Sequence, residues 1–173
     1  MSLFSIQTCP LPDNALLGRY SKNGNYTDCY MTEMPIPVSH AQYVNAFYTT
    51  ALFKLERFIL TWTVSKPSTD AQASQLADGL TESFAAWTVE ARTENQLLMC
   101  DFANRTRSWL MIAPLEKSTR LYFGSAVVPR TGKSTLEFGY RSLIGFHKMY
   151  SVALLYAARS RLEKTKGDER QDP

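Results

Sequence analysis

The chain has 173 residues, of which 45% are apolar and 20% charged, and its formal net charge is +3. This length suits one domain with its own core, and the apolar content excludes a wholly disordered chain. The charge is too weak to indicate a nucleic-acid surface, and the chain's two histidines cannot build a histidine-rich metal site.

The start of the chain carries no pattern for export. Residues 1–17 contain no Lys or Arg, and prolines interrupt the apolar stretch that a signal peptide needs. No apolar run approaches the roughly 18 residues that a membrane-spanning helix requires. The three cysteines, Cys9, Cys29 and Cys100, are odd in number and scattered along the sequence, which fits reduced thiols. We therefore expect a cytoplasmic protein.

The first elements are an irregular leader, a strand and a helix. The leader comprises residues 1–23, and alternation over Tyr26–Met34 predicts a strand that ends at Pro35. Ser39 then begins a helix, because Gln42 follows at the spacing of a capping box, in which two free backbone N–H groups gain side-chain partners.

Helical spacing continues after this start as far as Trp62. Because Thr49 and Thr50 weaken the middle, the segment predicts either one helix or two helices with a short break. A small helix follows over Ala71–Asp78, and Gly79 suits the left-handed position just after a helix end.

Four runs with a period of two residues come next and are separated by short turns. They are Trp87–Arg92, Leu97–Phe102, Trp109–Ala113 and Arg120–Val128. Consecutive runs with short connections predict an antiparallel meander. Together with the first strand they make a sheet of at least five strands.

The last element is a long amphipathic helix from Phe138 to about Glu163, followed by a flexible polar tail over residues 164–173. One domain over residues 24–163 therefore follows the leader. Because the helices are segregated from the antiparallel strands, the predicted fold class is α+β, with a curved antiparallel sheet of five or more strands packed on the C-terminal helix.

Several short runs resemble an uncharacterised bacterial family of unknown function. They are Ala46-Phe47-Tyr48, Phe53-Lys54-Leu55-Glu56-Arg57, Leu98-Met99-Cys100-Asp101-Phe102, Arg107-Ser108-Trp109-Leu110 and Gly145-Phe146-His147-Lys148-Met149-Tyr150. The order of elements resembles the helix-grip superfamily of START-like (SRPBCC-like) lipid carriers, plant pollen allergens and polyketide cyclases. The likeness to the bacterial family covers roughly residues 26–162, and the resemblance to the helix-grip superfamily implies a sheet wrapped around the C-terminal helix, with a mostly apolar cavity between them. It implies no reaction and no residue role, and a full helix-grip sheet has more strands than the five of this pattern.

Aromatic residues are the main candidates for a binding cavity. By alternation, Trp87, Trp109 and Tyr122 share one face of neighbouring strands, and Phe146 and Tyr150 lie on the helix that should cover this face. Such residues either wall a cavity or fill a core.

The polar candidates are a histidine and an ion pair. His147 lies next to Tyr150 on the C-terminal helix, where it is either a general base, a group that orients a ligand, or a hydrogen-bonded histidine at the core edge. Asp101 and Arg107 flank a predicted turn and either form a structural pair or leave Arg107 to hold a carboxylate or phosphate.

Motifs for a nucleophile, a metal or a cofactor are missing from the sequence. Gly132-Lys133-Ser134-Thr135 matches the end of a phosphate-binding loop, but Val127 stands where that loop needs its first glycine. No metal-ligand spacing and no nucleophile elbow occurs. We therefore expect no cofactor and no metal.

The sequence thus predicts a domain that binds a small apolar or amphipathic ligand between the sheet and the C-terminal helix, with His147 and Arg107 holding a polar end of the ligand. Two alternatives stay open. One is a cofactor-independent enzyme of the cyclase, hydratase or hydrolase type, with His147 as acid or base. The other is a protein-interaction module with a filled core. In each case we expect no nucleic-acid partner and no stable membrane insertion, and a homodimer is one option.

Overall fold

The computed structural model describes residues 6–54, 68–128 and 137–168, with only the helical backbone given for residues 137–147 and 166–168. The strands in these ranges are β1 (Gln7–Thr8), β2 (Tyr26–Met34), β3 (Ser83–Phe84), β4 (Trp87–Thr93), β5 (Gln96–Asp101), β6 (Thr106–Pro114) and β7 (Thr119–Val127). The helices are α1 (Gly18–Lys22), α2 (His40–Tyr48), α3 (Asp70–Ala77) and α4 (Glu137–Asp168). A further helical stretch begins at Ala51 and is described as far as Lys54.

The described strands form one antiparallel sheet in the order β1-β2-β7-β6-β5-β4-β3. The predicted α+β class is confirmed, since an antiparallel sheet packs on the C-terminal helix. The sheet has two strands more than the five of the sequence pattern. Both additional strands, β1 and β3, contain two residues each, which is too short to give a period-two signal.

Local sequence determines where the helices begin and end. Ser39 and Gln42 form the predicted capping box at the start of α2, and this helix ends before Thr49. Of the two alternatives, the one with a short break at Thr49 and Thr50 is therefore present, and the predicted continuation from residue 55 to Trp62 lies outside the described residues. A second capping box, formed by Thr69 and Gln72, begins α3.

The inner face of the sheet, meaning the face that α2, α3 and α4 cover, carries the larger apolar core. Tyr43, Phe47 and Tyr48 of α2 are almost completely buried there, and the ring centroids of Phe47 and Phe123 lie 5.0 Å apart. Leu154, on the C-terminal helix, belongs to the same core.

The outer face, opposite to the inner one, is covered by the leader. Leu17 is fully buried there against a cluster that includes Leu98 and Trp109. Residues 6–23 are thus more regular than predicted, since they contain β1 and α1 and pack closely on the sheet. The leader gives the sheet a second, smaller core.

The C-terminal helix α4 is longer than predicted. It continues through Asp168, past the expected start of a flexible tail at residue 164. Among the helices of the described ranges, none is both long enough and apolar enough to cross a membrane.

Gly124 allows the leader to approach the sheet closely. A Cβ atom at this position would lie 2.8 Å from the backbone oxygen of Asp28, 2.9 Å from Leu17 Cδ2 and 2.9 Å from Trp109 Cε3. We expect the Gly124→Ala substitution to lower the free energy of unfolding by about 2 kcal/mol, because overpacking forces neighbouring groups to move. Urea unfolding followed by circular dichroism measures this loss.

The matched control is Gly18→Ala, because a Cβ at Gly18 has no atom within 4 Å. Its effect should stay within about 0.5 kcal/mol, as for other substitutions that disturb no contact. Equal losses in the two variants would contradict the close approach at Gly124.

Candidate functional site

A cavity of about 520 Å³ opens between the leader, the first half of β2 and the C-terminal helix. Pro10 and Leu11 contribute apolar surface, whereas Tyr26, Asp28 and Lys148 contribute polar groups. Its volume falls within the range of roughly 300–1,000 Å³ that is typical of small-molecule sites.

The position of the cavity follows from the alternation of side chains along β2. Tyr30 belongs to the inner core and Cys29 to the outer one. Successive side chains of a strand point to opposite faces, so Tyr26 and Asp28 share a face with Tyr30, and Thr27 shares one with Cys29. All five residues line the cavity, which therefore lies at the edge of β2 rather than under one face of the sheet.

Asp28 is the buried charged group of this cavity, with 8% of the residue exposed. Its Oδ1 atom accepts hydrogen bonds from Ser125 Oγ at 2.5 Å and from Ser125 N at 3.0 Å. Its Oδ2 atom accepts a longer bond of 3.5 Å from the Tyr26 hydroxyl. These bonds hold the carboxylate in place, because Asp28 and Ser125 are directly opposite each other on β2 and β7.

Tyr30 remains a hydrogen-bond donor at neutral pH. Burial, followed by the negative charge of Asp28, raises the pKa of Tyr30 to about 12. The phenol therefore keeps its proton throughout the physiological range.

Lys148 supplies a positive charge at the opening. Its side chain is exposed, and within the described parts of the chain it forms no ion pair. The cavity thus combines an available ammonium group, phenolic hydroxyls, a fixed carboxylate and an apolar wall.

The predicted aromatic wall is divided between the two faces of the sheet. Trp87 and Tyr150 pack against the inner core, but Trp109 and Tyr122 belong to the outer core under the leader. The expectation that the three strand aromatics share a face is therefore wrong for Trp87, whereas Trp109 and Tyr122 do share one. Both faces of the sheet are covered, so an apolar side chain does not by itself indicate the inner face.

Trp109 holds the leader in place. Its indole Nε1 donates a hydrogen bond of 2.9 Å to Gln96 Oε1, which also accepts one of 2.9 Å from Leu16 N. Gln96 Nε2 in turn donates to the backbone oxygen of Asn14 at 3.1 Å. Trp109 therefore contacts the leader rather than a ligand cavity.

Arg107 also lies on the outer face, where it is 7% exposed. Its Nε donates to Glu90 Oε2 at 2.6 Å and to the Tyr20 hydroxyl at 2.7 Å. Its Nη2 donates to Asn104 Oδ1 at 2.5 Å, and its guanidinium carbon lies 4.9 Å from the centre of the Tyr20 ring. Because these contacts use the guanidinium to hold α1 on the sheet, Arg107 does not reach the cavity.

Asp101 does not pair with Arg107, although a structural ion pair was one of the two interpretations of the sequence. The residue opposite Arg107 on β5 is Cys100, so Asp101, its neighbour, points to the other face. Asp101 Oδ1 instead accepts hydrogen bonds from the backbone nitrogens of Arg105 at 2.7 Å and Thr106 at 3.1 Å. Its role here is to stabilise the turn before β6.

Phe146 and His147 are part of the α4 backbone, one and two residues before Lys148, but their side chains lie outside the described part of the chain. The motif at Gly132–Thr135 lies outside it as well. Their predicted roles therefore stay predictions.

Sequence reasoning missed two features. Cys9 and Cys29, scattered in the sequence, are neighbours in the fold with their sulfur atoms 3.3 Å apart. Cys29 lies within the predicted strand Tyr26–Met34 and Cys9 within the leader, and alternation does not show how the two segments pair.

The second missed feature is His40, the first residue of α2, which is 8% exposed. Burial, with a smaller effect of the positive charge of Arg92, lowers the pKa of His40 to about 4 despite a hydrogen bond to the backbone of Leu110. Its Nε2 atom has no hydrogen-bond partner among the described residues. His40 is therefore a neutral buried histidine at physiological pH.

Comparisons with known proteins do not identify the chain. No protein-family model matches it, and no curated protein matches it significantly. Among solved structures, it is similar to CalU16 from Micromonospora echinospora, with 10% sequence identity, 93% of each chain covered and a TM-score of 0.31. At this TM-score the likeness does not support a common function or family. The fold is therefore established by the described sheet and helix, while membership of a family stays a prediction.

Proposed function

We propose that the chain binds a small amphipathic molecule with an anionic group in the cavity between the leader, β2 and α4. The observation that carries this proposal is the combination of a ligand-sized cavity with an ammonium group, Lys148, that has no ion-pair partner within the described residues. Ligand pockets commonly have apolar walls and a few placed polar groups, and this cavity has both.

Each group has a definite part in the proposed binding. Lys148 attracts the anionic group, whereas the Tyr26 and Tyr30 hydroxyls bond to Asp28 and keep its carboxylate in place. Pro10 and Leu11 face the apolar part of the ligand. The polar end of the ligand is thus held by Lys148, whereas Arg107 is engaged on the outer face.

Native mass spectrometry of freshly purified protein, before and after organic extraction, tests whether a ligand is present. We expect extra mass that leaves with the solvent and that contains an acidic group. The amphipathic sulfonate 8-anilinonaphthalene-1-sulfonate then serves as a defined probe of the extracted protein, because it combines aromatic rings with one anion.

The substitution Lys148→Glu should weaken binding of this probe about tenfold, because reversing the charge removes about 1.4 kcal/mol or more of charge-assisted binding. Fluorescence titration measures the dissociation constant. The matched control is Lys164→Glu, an exposed lysine on the same helix that does not line the cavity. Equal affinities of the two variants would contradict the assignment of this cavity.

A second candidate function is binding to another protein, which an exposed apolar stripe on α4 favours. Met149 and Tyr156 are 65% and 64% exposed, and Val152 lies between them on the same side of the helix. A dimer peak in the same native mass spectrum, without extractable mass, would favour it over ligand binding.

A further inference from the structure

The leader and the sheet bring two thiols into contact. Cys9 Sγ and Cys29 Sγ lie 3.3 Å apart, although the two residues are 20 positions apart in the sequence. The backbone nitrogen of Cys9 donates a hydrogen bond of 3.0 Å to the backbone oxygen of Cys29. This bond continues the ladder in which Thr8 is opposite Tyr30. The two cysteines are therefore held side by side by main-chain pairing.

We propose that Cys9 and Cys29 are a redox-active pair that forms a reversible intramolecular disulfide on reaction with a low-molecular-weight disulfide. A bonded pair of sulfur atoms is about 2.05 Å apart, so the thiols must approach by a little more than 1 Å. Side-chain rotation together with a small shift of β1 provides this approach, because β1 has only two residues and pairs with β2 alone.

The exposure of the two residues assigns the order of the reaction. Cys9 is partly exposed, whereas Cys29 is 3% exposed. The Cys9 thiolate attacks one sulfur of oxidised glutathione, the glutathione S–S bond breaks, and one glutathione thiolate leaves. The Cys29 thiolate then attacks the Cys9 sulfur and expels the second glutathione thiolate. The two protons of the protein thiols pass through solvent to the two glutathione thiolates, so the protein loses two electrons and glutathione gains them.

The thiols are protonated at neutral pH, which makes the reaction slow and dependent on pH. Burial raises the pKa of the Cys9 thiol, and burial also raises that of Cys29. Since the thiolate is the nucleophile, the rate should increase about tenfold for each pH unit below the pKa of Cys9.

The test uses the full-length protein equilibrated with defined ratios of reduced and oxidised glutathione. Free thiols are trapped with N-ethylmaleimide, and intact mass and peptide mapping locate the bonds. The expected product contains one Cys9–Cys29 disulfide and an alkylated Cys100, and dithiothreitol restores the three free thiols. The oxidised form should also melt about 5–10 °C higher, because the bond closes a loop of the unfolded chain.

Two variants make the result specific. Cys100→Ser should form the same disulfide at the same ratio of glutathiones, because Cys100 lies on another strand. Cys9→Ser should leave Cys29 alkylated by the trapping reagent once the protein is denatured. The proposal is overturned if the wild-type protein keeps three free thiols at the most oxidising ratio, if a stable glutathione adduct persists on Cys9, or if the bond involves Cys100. Because Cys9 and Cys29 line the cavity, the test uses protein from which any ligand has been extracted, so that its outcome is separate from that of the proposed function.

Discussion

Replacing Trp109 by alanine should lower the free energy of unfolding by about 3–5 kcal/mol, the usual cost of removing a large buried aromatic side chain. Trp109 is 0% exposed and lies between the sheet and the leader. Its loss also leaves Gln96 Oε1 without the indole hydrogen bond. Urea unfolding followed by far-ultraviolet circular dichroism measures the change without depending on tryptophan fluorescence.

The same substitution should release the leader from the outer face, so limited proteolysis within residues 6–23 should become faster. Trp87→Ala is the matched control, because Trp87 is only partly buried and packs on the inner face. It should cost less stability and leave the leader as resistant as in the wild-type protein. A loss of less than about 1 kcal/mol for Trp109→Ala would contradict the packing described here.

Acid should destabilise the protein through His40. The pKa of a histidine in an unfolded chain is 6.5, and burial lowers that of folded His40 to about 4. Between these values the unfolded chain binds a proton that the folded protein does not, so the free energy of unfolding falls as the pH falls. The full effect is about 3 kcal/mol between pH 7 and pH 4.

A non-titrating variant, His40→Gln, isolates this contribution. Urea unfolding of both proteins at several pH values should show a smaller acid-induced loss for the variant, by up to about 3 kcal/mol. The chain's other histidine is present in both proteins and cancels in the difference. Parallel pH profiles would show that folded His40 binds its proton as readily as an unfolded one.

Local signals in the sequence predicted most of the regular elements. The bounds predicted for the first strand, Tyr26–Met34, are those of β2. The capping box at Ser39 and the left-handed Gly79, with a φ of 74°, are also where the spacing placed them. These features depend on interactions within a few residues, and a single sequence contains that information.

The candidate site was predicted less well because it depends on which face of the sheet each strand residue occupies. Alternation shows that Trp109 and Arg107 share a face but does not show which layer covers it. The leader lacks a clear periodic pattern, so its cover of the outer face was not expected. The cavity at Tyr26 and Asp28 arises where this leader, β2 and α4 meet, and no local motif marks such a meeting point.

The pairing of β2 with β7 has a consequence for biosynthesis. Tyr26 is paired with Val127, so the two partners are 101 positions apart along the chain. At the usual elongation rate of about 5–20 residues per second, β2 waits roughly 5–20 s on the ribosome before its partner strand is synthesised. During this interval its apolar residues are available to chaperones and to neighbouring nascent chains. Synthesis of β7 therefore determines when the sheet of a newly made molecule can close.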